Sequence, residues 1–296
     1  MKIFYFNADN FPDIHTQNLC IGKFDGLHKG HEALISRQSS ILTFNPLPYI
    51  FFGKANGVQE KLIYTEAEKR AIFEHFGIEN LLILEFNHAL ANLSGEHFLA
   101  KLSSITQKIT VGSDFRFGQN RSHGVEAIAD FGLKTNIVPI IANNDEKVSS
   151  SFLRKCVENG DFAKYRTLSN IPFHLTSEVL HGQKIAGEQL KTPTANMVFP
   201  ENKISPPFGV YATVAEIDGQ KFPSISNFGV KPTFQDNLQP LLETHIFNFS
   251  QNIYEKTIKI IFLEGIRKEK QFSSINELHF QIIQDIQITK KIHGIL

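Results

Sequence analysis

Up to about residue 170, apolar positions recur along the chain in two alternating textures. Short solid runs such as ILTFN (41–45), LLILEF (81–86), KITVGSDF (108–115) and NIVPII (136–141) read as strands, joined by a shorter apolar run at Leu19–Ile21. TEAEKRAIFEHFG (65–77), GEHFLAKLSS (95–104) and SFLRKCVENG (151–160) read as helices, and a further one is expected from Glu32 to Ile35. The helix over Glu66–Phe76 sets Ala67, Ala71, Ile72 and Phe76 on its apolar face and stops at Gly77. Strands alternating with helices predict a mostly parallel sheet covered by helices, with ligands bound beyond the carboxyl ends of its strands.

After LSNIPF (168–173) the texture changes. The runs GVYATVAEI, FPSISNFGV, LLETHIFNF and KTIKIIFLEGI are separated by Gly, Pro and Asn turns, which predicts a compact antiparallel barrel. One helix closes the chain, with Ser274 and Glu277 as a capping box ahead of Leu278, Ile282 and Ile286 on one face. There is no internal repeat and no low-complexity linker, so two domains are expected, 1–172 and 173–296.

Composition narrows the function classes. Thirty basic residues balance thirty acidic ones, so no global field favours nucleic acid or an anionic membrane, and any anionic ligand must be held by a local site. Cys20 and Cys156 stand far apart and in no metal-binding or disulfide spacing. The N-terminus lacks a signal-peptide core and no stretch reaches the ~18 apolar residues of a membrane span, so a cytoplasmic protein is expected. The 27 Phe against no Trp are assigned to the core rather than to ligand stacking.

Candidate chemistry begins at GKFDGLHKGH (22–31), where His28 and His31 sit at a strand-to-helix junction. Two imidazoles beside a helix N-terminus can donate N–H bonds to phosphate oxygens, and Gly30 lets the backbone come close to the ligand. Metal ligation or a plain surface pair are the alternatives for an HxGH match alone. Two more segments bear on the choice. VGSDFRFGQNRSHG (111–124) is a strand end and glycine-punctuated loop with Asp114, Arg116 and Arg121, and VSSSFLRKCVENGD (148–161) opens a helix with three serines and Arg154. Hydroxyls, helix amides and a guanidinium fork suit a β,γ-phosphate or departing pyrophosphate.

GKFDGLHKGH, TFNPLP, VGSDFRFG and VSSSFLR together resemble, in order and spacing, the nucleotidyltransferase half of the bacterial bifunctional riboflavin kinase/FAD synthetases. The resemblance implies a Rossmann-like α/β domain that adenylylates FMN with ATP and Mg²⁺. It implies ATP and phosphate contacts from Gly22, Phe24, Asp25, His28, Gly30, His31, Ser150, Ser151 and Arg154, with Asp114, Phe115 and Arg116 toward the flavin.

In the second half, Thr194 and Asn196 of PTAN supply neutral oxygens suited to a hard cation beside phosphates, and Glu243 could deprotonate an alcohol, although each is also an ordinary turn or strand residue. PTAN, GVYA, NFGVKPTF and LLETHIFNF in combination resemble the riboflavin kinase half of the same family, a six-stranded antiparallel β-barrel with a C-terminal helix. That implies Thr194 and Asn196 as Mg²⁺-ATP ligands, Glu243 as the base for the ribityl hydroxyl, and Arg267 near the flavin. Riboflavin, FMN and ATP become the expected substrates and products, handled by a monomer or weak homo-oligomer. Departures are Glu188, Lys191 and Thr192 in GEQLKT, where the family usually carries a run close to GRxLGF, and Leu47, where a histidine is common. Lys23 is a candidate substitute cation for that histidine. The alternatives are a monofunctional adenylyltransferase with a weakened kinase half, another HxGH enzyme such as a cytidylyltransferase, and a non-catalytic flavin-binding regulatory protein.

Overall fold

The computed structural model describes residues 1–55, 61–143, 146–181, 194–231 and 239–295. The chain divides into two compact units, Met1–Phe152 and Leu153–Leu296.

In the first unit six parallel strands form one sheet: β1 (Lys2–Phe6), β2 (Leu19–Ile21), β3 (Ser40–Asn45), β4 (Asn80–Glu85), β5 (Lys108–Gly112) and β6 (Lys134–Val138), in the order β1-β4-β3-β2-β5-β6. All three residues of β2 and the first five of β4 are buried, as in a parallel strand covered on both faces. The helices are α1 (Lys29–Glu32), α2 (Pro48–Ala55), α3 (Glu66–His75), α4 (His88–Ala91), α5 (Gly95–Ser103) and α6 (Glu126–Asp130), with α7 (Ser150–Glu158) crossing the division between units. Two short antiparallel strands, β7 (Ala142–Asn143) and β8 (Glu146–Lys147), form a sheet of their own. Phe98, Leu99 and Leu102 of α5 join Leu19, Ile21, Leu82, Ile109 and Val111 in the core.

Helix α3 turns a different face inward from the one its alanines suggest. Ala67 and Ala71 are exposed, while Glu68, Lys69, Ile72 and Phe73 are buried. The Phe73 ring removes far more apolar area from water than two methyl groups, so it sets the rotation. Glu68 is buried because it completes a capping box: its carboxylate accepts from Thr65 N at 2.8 Å while Thr65 Oγ1 accepts from Glu68 N at 3.2 Å. Helix α1 is also shorter than the sequence suggests, ending before Ala33.

The second unit holds a six-stranded antiparallel sheet of β9 (His174–Glu178), β10 (Thr194–Val198), β11 (Gly209–Ile217), β12 (Gln220–Lys231), β13 (Gln239–Ile246) and β14 (Thr257–Lys268), in the order β10-β13-β12-β11-β14-β9. A bridge from Leu180 to Asn196 brings the two edges together and nearly closes the barrel. The barrel unit buries Phe173 and Phe262, which lie 5.5 Å apart, and Phe228, which packs on Phe199 and Phe208. It also buries a set of hydroxyls: Thr213 Oγ1 lies 2.9 Å from Ser224 Oγ and 2.8 Å from Ser226 Oγ, which is 2.7 Å from Thr244 Oγ1. Closing that hydrogen-bonded chain avoids the penalty of unpaired buried hydroxyls. Helix α9 (Ile275–Ile292) is capped by Ser274 Oγ, which accepts from Glu277 N at 3.2 Å. The reciprocal bond differs from a capping box, since the Glu277 carboxylate accepts from Ser273 N and Oγ at 3.0 and 2.8 Å.

Helix α8 (Phe162–Leu168) packs with the barrel, ahead of the boundary at 173 that sequence texture suggests. Phe162 lies 5.6 Å from Phe173, 5.1 Å from Phe262 and 5.8 Å from Tyr211, ring centre to ring centre. A fragment of residues 153–296 is therefore expected to be more stable than one of residues 173–296 by roughly 3–5 kcal/mol, the scale of deleting a buried aromatic. Urea unfolding of both fragments checks this, and equal midpoints would contradict it.

Candidate active sites

Strand β2 has β3 on one side and β5 on the other, so after β4 the chain crosses back over β2 to continue the sheet on its other side. The chain leaving Ile21 therefore emerges where an open parallel sheet leaves a crevice. The segment after it, Gly22–His28, takes an unusual path. Phe24, Gly26 and Leu27 all have positive φ (48°, 84° and 44°), and Phe24 and Leu27 are fully buried. Asp25 fixes this path: its carboxylate accepts from Tyr49 Oη at 2.8 Å and from Ile63 N at 2.9 Å. Lys69 is buried nearby. Burial pushes its ammonium below the usual lysine range, and the charges of Asp25 and Glu66 oppose that shift.

Beyond this turn the two histidines stack, with ring centres 3.9 Å apart and planes 21° from parallel. His28 caps α1, its Nδ1 accepting from His31 N at 3.3 Å. A neutral ring in that role carries its proton on Nε2, leaving a donor for a ligand oxygen. The glycine between the histidines suits this packing, because a Cβ at residue 30 would lie 3.0 Å from the His28 ring and would displace it by a few tenths of an ångström. Burial holds His31 well below the usual imidazole range, reinforced by positive charge at His28 and Lys23. Its Nδ1 is buried with no hydrogen-bond partner among the described residues. Helix α1 is a single turn, so little macrodipole accumulates, and local N–H groups carry any attraction for anions.

The serine segment joins the same turn. Ser150 Oγ donates to the backbone oxygen of Asp25 at 2.6 Å, and Ser149 Oγ accepts from Phe152 N at 3.3 Å at the start of α7. Ser151 is exposed, and Arg154 follows Ser150 one turn along the helix. Lys23 is exposed with its ammonium 5.9 Å from the Tyr49 ring centre, whereas Leu47 is buried.

The third segment leaves β5 beside β2. Phe115 N donates to Gly112 O at 2.9 Å, Asp114 and Arg116 are exposed, and Phe115 stacks on Phe117 at 5.6 Å while packing on the core. Arg121 lies in a short 3₁₀ turn, Gln119–Arg121. This loop is tied down by residues that the sequence did not single out. Phe117 and His123 exchange backbone hydrogen bonds at 3.1 Å, and His123 Nε2 pairs with Glu96 Oε1 of α5 at 3.0 Å.

In the second unit Thr194 and Asn196 alternate along β10 with buried Ala195 and Met197, so they share the face opposite the barrel interior. Register places Asn196 directly opposite Glu243, and Glu243 directly opposite Asn227 of β12. The row continues through Val210 of β11 to Arg267 of β14. Two neutral oxygen donors thus stand beside a carboxylate, an arrangement that fits a hard cation shared with phosphate oxygens. Asn227 was not singled out from sequence; only its place in NFGVKPTF pointed to it. Glu188, Lys191 and Thr192 lie outside the described residues.

A family profile described as riboflavin kinase matches residues 169–293, and one described as FAD synthetase matches residues 12–152. A bifunctional riboflavin kinase/FMN adenylyltransferase of Buchnera aphidicola subsp. Schizaphis graminum is 35% identical, covering 97% of each chain. One of Bacillus subtilis is 32% identical, covering 91% of this chain and 90% of that protein. The crystal structure of a macrolide-efflux protein from Streptococcus pneumoniae superposes with a TM-score of 0.84 at 26% identity, covering 98% of this chain and 99% of that one. Efflux belongs to that protein's name; among the described residues here, no helix is long and apolar enough to cross a membrane.

The burial of His31 makes a prediction of its own. Its penalty for protonation is absent above the unfolded value near ~6.5 and accumulates as pH falls from there toward the lower folded value, so stability declines in that direction. The His31 ring signals in a pH-dependent NMR titration are expected to stay flat through pH ~6–8; an inflection near ~6.5 would contradict the environment described.

Proposed function

Since the chain belongs to the family of bifunctional riboflavin kinase/FMN adenylyltransferases, we propose that it phosphorylates riboflavin to FMN in its second unit and adenylylates FMN to FAD in its first. ATP is the co-substrate of both steps, and FMN and FAD are products. The observation that carries the assignment of residues is the convergence of separate motifs: the Ser150 hydroxyl on the Asp25 carbonyl, three residues from His28, and Asn196 directly across from Glu243.

In adenylyl transfer the FMN phosphate oxygen attacks the α-phosphorus of ATP and pyrophosphate departs, so the protein must position reactants and neutralise spreading charge. His28 and His31 donate to the phosphates, with Gly22, Phe24 and Gly30 shaping the turn and Ser150, Ser151 and Arg154 receiving the pyrophosphate end. Asp25 acts by holding the turn through its carboxylate. Asp114, Phe115 and Arg116 serve the flavin side, and Lys23, whose charge is felt at His31, supplies the cation that Leu47 cannot.

In the kinase step the ribityl hydroxyl attacks the γ-phosphorus, Glu243 takes the hydroxyl proton, and ADP leaves. Thr194 and Asn196 would hold a magnesium ion against the phosphates, which when bound neutralises charge on the transferred group. Arg267 meets the flavin. The protein works in the cytoplasm as a monomer or weak homo-oligomer, and its balanced net charge leaves no global field to attract nucleic acid or an anionic membrane.

His28→Ala and His31→Ala are expected to slow FAD formation from FMN by on the order of 10²-fold while sparing FMN formation. Wild-type FAD synthesis in both variants would overturn the first site. Glu243→Gln should do the reverse, abolishing phosphorylation and sparing adenylylation, because an amide cannot accept the ribityl proton. Assaying both half-reactions on one preparation separates a lost role from misfolding, and a kinase running at the wild-type rate would remove Glu243 from the mechanism.

A further inference from the structure

The row that carries Asn196, Glu243 and Asn227 ends at Arg267, roughly 14 Å from Glu243 by three inter-strand spacings. The ladder is irregular here. Val210 pairs with Arg267 and Tyr211 with Gly265, so Ile266 is an extra residue and the bulge re-aims the Arg267 side chain. That side chain is then clamped. Its Nε donates to Asp285 Oδ2 at 2.9 Å, its Nη1 donates to Lys268 O at 3.2 Å, and its guanidinium lies 5.5 Å from the Phe272 ring centre.

Asp285 belongs to helix α9, which packs on β11, β12 and β14, and it is only 2% exposed. Its second carboxylate oxygen accepts from Gln281 Nε2 at 2.9 Å, so both oxygens have partners. A buried ion pair adds little net stability over apolar groups of the same shape, and its geometry depends on both members. The clamp uses the Nε edge and one side of Nη1. The rest of the guanidinium remains able to donate, and two partners and a ring fix its plane.

We infer that Asp285, supported by Gln281, is a positioning residue for the kinase step: from the C-terminal helix it fixes Arg267 in the orientation that receives the flavin end of riboflavin. This rests on the reading of Arg267 as a flavin contact, and the experiment separates the two claims. In the full-length protein, Arg267→Ala, Asp285→Asn and the double variant are compared for the KM of riboflavin, the KM of ATP, kcat of phosphorylation and the rate of FMN adenylylation. Arg267→Ala is expected to raise the riboflavin KM about tenfold or more, the scale of a lost charge-assisted hydrogen bond. Asp285→Asn should raise it by a similar factor, leave adenylylation unchanged, and add nothing further once Arg267 is gone.

An unchanged riboflavin KM in Arg267→Ala overturns the flavin contact and the inference with it. A raised KM in Arg267→Ala beside a wild-type value in Asp285→Asn overturns the positioning role alone. Additive effects in the double variant, or equal losses in both half-reactions, assign Asp285 to general stability and likewise overturn the role. If Asp285→Asn does not yield folded protein, the same cycle with Gln281→Ala decides the question by the same criterion: non-additivity with Arg267→Ala supports the role and additivity overturns it.

Discussion

The carboxylate of Asp25 is the fixed point of the first unit. Two non-glycine residues with positive φ, Phe24 just before it and Leu27 two residues after it, each cost about 1–3 kcal/mol, and such conformations persist only where the surroundings over-determine them. Here they do. Both side chains are fully buried, which returns about 1.5–3 kcal/mol apiece. Asp25 adds bonds to Tyr49 and Ile63, and its carbonyl receives Ser150. The turn delivers His28 and His31 as a stacked pair, and the bond from Ser150 ties the serine-rich start of α7 to the same turn.

The second unit solves its positioning problem by sheet register. Period-two alternation sends Leu242, Thr244 and Ile246 inward and leaves Glu243 and His245 on the opposite face. The inward residues include hydroxyls that bond one another across β11, β12 and β13. A one-residue slip would break that chain and turn Glu243 away from Asn196, so the same bonds that stabilise the barrel also hold Glu243 opposite Asn196.

How much of this was legible from sequence depended on whether the partner was local. The alternating texture predicts the sheet and the barrel, and the histidine, serine, PTAN and glutamate motifs mark segments that the structure brings together in two groups, Ser150 on the turn before His28 and Asn196 across from Glu243. The sense in which Asp25 acts was not legible. It reads as a phosphate contact, yet its carboxylate is directed inward to partners 24 and 38 residues away. Alanines mark helical period without contributing much buried area, so the face that Ala67 and Ala71 suggest for α3 is not the one it buries. Strand β1 has almost no sequence signature, being a five-residue edge strand with a mixed burial pattern. The same distance effect hides the tie between Arg267 and Asp285, which pattern reading along one strand or one helix cannot reveal.

The central claim is that one chain carries both flavin-forming steps on two separately built sites. It is tested most directly by incubating the purified protein with riboflavin, ATP and Mg²⁺ and separating the flavins by chromatography over time. The account predicts that FMN accumulates first and is then converted to FAD. Failure to form FMN from riboflavin, or failure to convert added FMN to FAD, would contradict it.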